Sequence, residues 1–244
     1  MKKLLYALVT VSILPFISCG DDPIADAEVR FRLRYEDKPL VAFEEVTYPD
    51  GKSLYFTRVS LFIEDFTLMG EEPQTVFDLD YFTLTDDHLI SADAMEGTMI
   101  YRGELEPGDY TTRFNIGVNP TDNAKVPADF PSSNVLSNAA EYWVGWKSYV
   151  FAKVEGFIDL DGDGDEETGF ALHMGGDDAY RAITNTGTMS LDKNQPVMYV
   201  DIQLEKLFMN NGVMYDIAAN PQIHSPEQNP LVIILSDNLA TCFE

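Results

Sequence analysis

The 244-residue chain carries 41 acidic and 16 basic residues, a formal net charge of −25. A surface of that sign repels nucleic acid and anionic lipid headgroups and suits cations. A hydrophobic fraction of 45% with 12% aromatics is ample for a packed core, and two cysteines are too few for a disulfide scaffold.

The chain opens with Lys2 and Lys3, an apolar run from Leu4 to Phe16, and Ile17-Ser18-Cys19-Gly20. This is the positive start, apolar middle and small-residue exit of a secretory signal over residues 1–18. The cysteine at the cut point reads as a bacterial lipobox. Acylation of a new N-terminal Cys19 would anchor the chain, since several buried acyl chains hold firmly where one does not. An ordinary signal with an incidental cysteine is the weaker reading, because Cys242 is the only other cysteine. Gly20-Asp21-Asp22-Pro23 resembles the surface-export signal of some Gram-negative lipoproteins, or is a plain polar tether over residues 19–27. The expected address is the outer membrane, facing the periplasm or the exterior. No second long apolar run follows.

From residue 28 to 244 the pattern is strand-like and shows no break that demands a second domain. Val29, Phe31, Leu33 and Tyr35 alternate with Arg30, Arg32, Arg34 and Glu36, a half-buried strand with one basic face. After the turn Pro49-Asp50-Gly51, the run Leu54 to Ile63 is rich in β-branched and aromatic residues, and Asp65-Phe66-Thr67-Leu68 continues it past a bulge. Val76–Leu79, Tyr81–Leu84, Thr98–Glu104 and Tyr110–Ile116 follow. Residues 118–140, rich in Asn, Pro, Asp and Ser, read as a long surface loop. Tyr149–Leu160 and Gly169–Met174 pair next. Thr188–Leu191, Val197–Leu204 and Leu231–Leu235 complete the strands, with a short helix within 205–220. Many strands and little helix predict an all-β fold, an antiparallel β-sandwich with Greek-key-like connections. Cys242 reads as a small buried apolar residue on a last strand.

The sharpest local motif is Asp159-Leu160-Asp161-Gly162-Asp163-Gly164-Asp165-Glu166-Glu167. Alternate aspartates at 159, 161 and 163 with Gly164 reproduce the first half of a calcium loop. Phe170 stands where an EF-hand needs its bidentate glutamate. A shortened calcium site between two strands, completed by Asp165, Glu166 or Glu167, is one reading. An acidic hairpin tip is the other, because Asp-Gly pairs also favour turns.

The chain has three histidines, His88, His173 and His224, and two tryptophans, both in Glu141-Tyr142-Trp143-Val144-Gly145-Trp146-Lys147-Ser148-Tyr149. Taken alone, these read as core and satisfied polar residues. Their setting says more. The strand block Leu54 to Leu68, the turn and strand Glu106-Pro107-Gly108-Asp109-Tyr110 to Asn119, the block Tyr142 to Gly156, and Phe170-Ala171-Leu172-His173-Met174-Gly175 together resemble, in order, the conserved blocks of MbnP-like proteins, over roughly residues 28–205. The resemblance implies an extracytoplasmic β-sandwich linked to copper. It also implies a dihaem peroxidase-type partner that oxidises a tryptophan to kynurenine. His173 and one of Trp143 or Trp146 are the matching positions. Glu141 and Ser148 depart from the pattern, which has Met and Gly there. Imidazole suits copper and a thioether suits Cu(I), but Met174 points to the opposite strand face from His173. His88 would supply a second nitrogen if Asp86-Asp87-His88 folded over the site.

The functions in view are a lipid-anchored copper-binding or copper-handling protein and a calcium-stabilised surface module for a glycan or protein partner. Gly-x-Ser-x-Gly, His-Glu-x-x-His and phosphate-loop motifs are absent from the sequence, so an enzyme is not expected.

Overall fold

The computed structural model of the chain describes residues 22–165, 167–210 and 212–244. The expected signal segment and Cys19 lie outside the described residues, as does Glu166. In chain order the strands are β1 (Ile24–Tyr35), β2 (Lys38–Pro39), β3 (Val46–Thr47), β4 (Ser53–Met69), β5 (Gln74–Thr83), β6 (Thr98–Leu105) and β7 (Gly108–Ile116). Then come β8 (Tyr142–Trp143), β9 (Ser148–Ile158), β10 (Thr168–Gly175), β11 (Arg181–Leu191), β12 (Val197–Gln203), β13 (Met209–Asn210), β14 (Val213–Met214) and β15 (Gln222–Ile223). Among the described residues, four α-helices, α1 (Ser91–Glu96), α2 (Pro120–Asn123), α3 (Glu205–Phe208) and α4 (Asn229–Ala240), sit between and after them, with single turns of 3-10 helix.

Two sheets form the sandwich. The smaller runs β12-β1-β2, with β6 also on β1; the larger runs β11-β7-β4-β9-β10-β15, with β3 and β5 on β4 and β8 on β9. Phe31 of β1 joins them, since its ring meets Phe66 of β4, Phe82 of β5 and Phe114 of β7 at 5.9, 6.5 and 5.8 Å. The alternation read in β1 holds: Val29, Phe31 and Leu33 are fully buried. The arginines between them are neutralised. Arg32 makes a two-bond contact with Asp201 at 2.6 and 3.0 Å, and Arg30 and Arg102 share Glu28. The bulge in β4 is real. Asp65 takes a left-handed φ of +54°, and the ladder to β7 slips between Glu64 and Thr67 while that to β5 slips just after, between Phe66 and Thr67.

Four expectations need correction. Two of the pairings are parallel, β1 with β12 and β10 with β15, so the sandwich is not purely antiparallel. The first strand among the described residues begins at Ile24, inside the stretch expected to be a tether, and Ile24 and Ala27 are buried in its ladder to β6. Leu231–Leu235 lies in α4, not in a strand. Pro230 suits a helix's first turn, and Val232, Leu235, Ser236 and Leu239 recur at helical spacing on the buried side, an arrangement that a short apolar run does not reveal by itself. Cys242 is fully buried as expected, but it follows α4 in a bend beside β12.

The long surface loop expected over residues 118–140 is present and is organised as a chain of short turns. Asn119, Asn134 and Asn138 each cap a turn through their side-chain oxygens. Asn123 Oδ1 accepts from Ser148 Oγ and from the Tyr149 N–H, both at 2.9 Å, and the Tyr149 hydroxyl donates to the Leu136 carbonyl at 2.6 Å. These bonds seat the segment against β9, immediately before the tryptophans.

His88 is a core fastener. It is fully buried, its Nε2 accepts the Leu33 N–H at 3.0 Å, and its Nδ1–H donates to the Leu84 carbonyl at 2.7 Å. It thus ties β1 of one sheet to the turn that follows β5 of the other. Burial depresses its pKa below the ordinary 6.5. Its stabilising contribution is therefore intact above 6.5 and is lost as pH falls from there toward the depressed native value. We expect wild-type stability in urea melts to fall between pH 7.5 and 5.5, by at most about 1.4 kcal/mol per pH unit from this group. The His88→Gln protein should show a shallower pH slope, and an unchanged slope refutes the assignment.

Candidate metal centre

The centre is built by strand register. β9 and β10 pair antiparallel, which sets His173 opposite Lys153 and Ala171 opposite Glu155 on one face of the large sheet. Met174 faces the other way and is buried in the core, as alternation requires. On the far flank β15 runs parallel to β10, with Ala171 beside Gln222 and Leu172 beside Ile223. One step further along that register is His224, whose ring centroid lies 4.7 Å from that of His173.

β8 then brings in an indole. Tyr142 pairs with Tyr149 and Trp143 with Ser148. The Trp143 ring stacks on His224 at 5.5 Å and 26°, and meets His173 edge-on at 6.4 Å. Trp146 is 6.5 Å from Trp143 but covers Gly175, where an added Cβ would come within 2.6 Å of its ring. Of the two tryptophans, Trp143 is therefore the one against the histidines.

The electrostatics are specific. His173 Nε2 lies 2.7 Å from Glu155 Oε1, an arrangement in which the imidazole donates to the carboxylate. That bond holds the Glu155 carboxyl below its usual range, against the opposing effect of burial. Among the described residues, it leaves His173 Nδ1 buried and without a partner, and His224 Nε2 is in the same condition. Burial depresses the His224 pKa, the neighbouring His173 imidazole adds to that, and Glu155 opposes both. A neutral imidazole is the form that ligates metal. Two buried, unpartnered ring nitrogens in one pair of rings cost free energy unless something binds them. The residues present therefore fit a metal ion of the copper and zinc class.

His88 does not belong to this centre, because both of its ring nitrogens are committed to backbone groups between the sheets. His224 holds the place expected of it. No local motif marks His224. Its only sequence signal is that the chain has so few histidines, and its position follows from a two-residue strand.

The acidic loop closes the β9–β10 hairpin, at the end of the sheet where the Asp159 N–H bonds the Ser53 carbonyl. Asp159 is buried and accepts from the backbone N–H groups of Gly162 and Gly164 at 2.6 and 2.9 Å, which holds its carboxyl below the usual range. Those two glycines take φ of +81° and +100°, conformations that suit glycine. Carboxylate oxygens of Asp159, Asp161, Asp163 and Glu167 lie within 4.8 Å of one another. Asp165 is not in that group, and its backbone N–H donates to Asp163 instead.

The fold and the centre together define a β-sandwich protein with a paired-imidazole, indole-flanked site on one sheet face. The MbnP family model matches residues 25–225, and the chain belongs to that family. Among solved structures, MbnP from Methylosinus trichosporium is similar, with a TM-score of 0.51 at 12% identity over 77% of this chain and 79% of that one. At that identity the likeness speaks for the fold. No curated protein matches the chain.

Proposed function

We propose that the protein is a lipid-anchored, extracytoplasmic copper-binding or copper-handling protein. The observation that supports this best is the pair His173 and His224, each with a buried ring nitrogen that has no partner among the described residues, beneath Trp143. His173 and His224 would hold the ion through imidazole nitrogens, which suit both common copper oxidation states. A bound copper ion would supply one-electron redox chemistry there. Glu155 fixes which nitrogen of His173 is free, and Trp143 covers His224. Membership of the MbnP family agrees with the reading, as does the acidic surface, which suits a cation. A dihaem peroxidase-type partner acting on Trp143 remains part of the proposal.

The test is metal analysis and intact mass of the protein recovered from its native membrane fraction. About one copper per chain and an acylated Cys19 are expected. Copper-free protein from copper-replete cells removes the metal reading, and an unacylated N-terminus removes the anchor.

A second reading, supported by the four converging carboxylates of the acidic loop, is a calcium ion that stabilises the β9–β10 hairpin. Millimolar calcium should raise the melting temperature by a few degrees, about 1–2 kcal/mol by mass action at ten- to thirtyfold excess over Kd. The rise should vanish in Asp161→Ala. Equal melting with calcium and with chelator refutes it.

A further inference from the structure

The large sheet carries an ion network that the proposed copper chemistry does not itself use. Glu141, 3% exposed, lies immediately before β8. Its Oε1 accepts from Arg58 Nη2 of β4 at 3.0 Å, and its Oε2 lies 2.6 Å from Lys153 Nζ of β9. Lys153 also donates to the Ala140 carbonyl at 3.2 Å, and Arg58 to the Tyr81 hydroxyl at 2.8 Å. One carboxylate thus draws cations from two neighbouring strands onto the segment that leads into Trp143.

Other restraints on that segment include the edge-on contact of Tyr142 with Tyr149 at 5.2 Å and the packing of Trp146 over Gly175, neither of which sets the Trp143 ring. β8 has two paired residues, and the turn after it is exposed, Val144 by 78%. Trp143 itself is 38% exposed, yet its ring is stacked on His224. Lys153 stands directly opposite His173 in the β9–β10 ladder, so the clamp and the imidazole pair share one patch of sheet.

We infer that Glu141 is a positioning residue, whose paired contacts with Arg58 and Lys153 hold the β8 segment so that the Trp143 indole lies on His224. This deepens, and rests on, the reading of His173, His224 and Trp143 as a copper site. A buried ion pair adds little net stability over a well-packed apolar replacement, but it fixes one arrangement of the chain. The role is therefore separable from folding.

The test uses the purified full chain without metal. The ring-current shift of the His224 protons is measured in the wild type, with Trp143→Ala as the zero. Glu141→Met/Lys153→Met removes the two buried charges together and leaves Arg58, which is partly exposed, bonded to the Tyr81 hydroxyl. It should keep the wild-type melting temperature within a few degrees and lose more than half of the ring-current shift. Lys153→Arg, which keeps the charge, should retain the shift. If the double variant does not fold, Glu141→Gln is read by the same shift. A full wild-type shift in a folded variant overturns the inference and leaves the clamp as structure alone. If the wild type takes up no copper, the copper reading fails on its own, while the metal-free shift still decides the role of Glu141.

Discussion

His224→Ala is expected to lower copper affinity by more than about 100-fold, beyond the 10–100-fold typical of groups that only orient a ligand. The reason is the count of nitrogens. Glu155 occupies one nitrogen of His173, and the two remaining buried, unpartnered nitrogens come from His173 and His224. Removing His224 leaves one imidazole, with an indole over an empty space. Folding should change little, because His224 is only half-buried and its Nε2 has no hydrogen bond to lose. Competition titration with a Cu(I) chelator measures the affinity, and a melting curve checks the fold. His88→Gln serves as the control, with expected wild-type affinity. If His88→Gln abolished copper binding and His224→Ala did not, the centre has been placed on the wrong histidine.

Phe31→Ala should cost about 3–5 kcal/mol, the usual range for deleting a buried phenylalanine from a core that only partly collapses. Phe31 is fully buried, and besides Phe66, Phe82 and Phe114 it meets Phe243 at 5.9 Å. Its loss opens the space where both sheets and the chain's last residues converge. For a domain of this size that corresponds to a fall in melting temperature of roughly 10 °C, and to a large share of a typical stability of about 5–15 kcal/mol. Phe43→Ala is the contrast. Phe43 is 59% exposed and should change stability by no more than about 0.5 kcal/mol. Equal losses from the two substitutions would contradict the core assignment.

The two histidine results bear on how legible the centre is in the chain. His173 and the tryptophans stand in ordered blocks whose alternation is local, so both their strand faces and their relation to Met174 follow from period-2 geometry. The β4 bulge at Asp65 and the turn before Tyr110 were legible for the same reason. His88 was misplaced because three neighbouring residues do not reveal whether a ring turns to the surface or into the space between two sheets. His224 was missed because what seats it is β15, two residues long and paired in parallel with a strand far back in the chain. Strands that short carry no pattern of their own. The run Leu231–Leu235 misled because a short apolar run suits a buried strand and a buried helix equally, and only the neighbours of α4 decide.

Read alone, the chain established an acidic β-sandwich body, the strand faces of its longer strands, and the family blocks holding His173, Trp143 and Trp146. Those properties are written in alternation, turn chemistry and composition, each of which acts over a few residues. Only the tertiary structure decided that His224 rather than His88 joins His173, that Trp143 rather than Trp146 covers them, and that Glu141 is clamped by Arg58 and Lys153. Those are contacts between strands distant in sequence. Their partners are chosen by how the sheets assemble and by which buried polar groups are left needing one another.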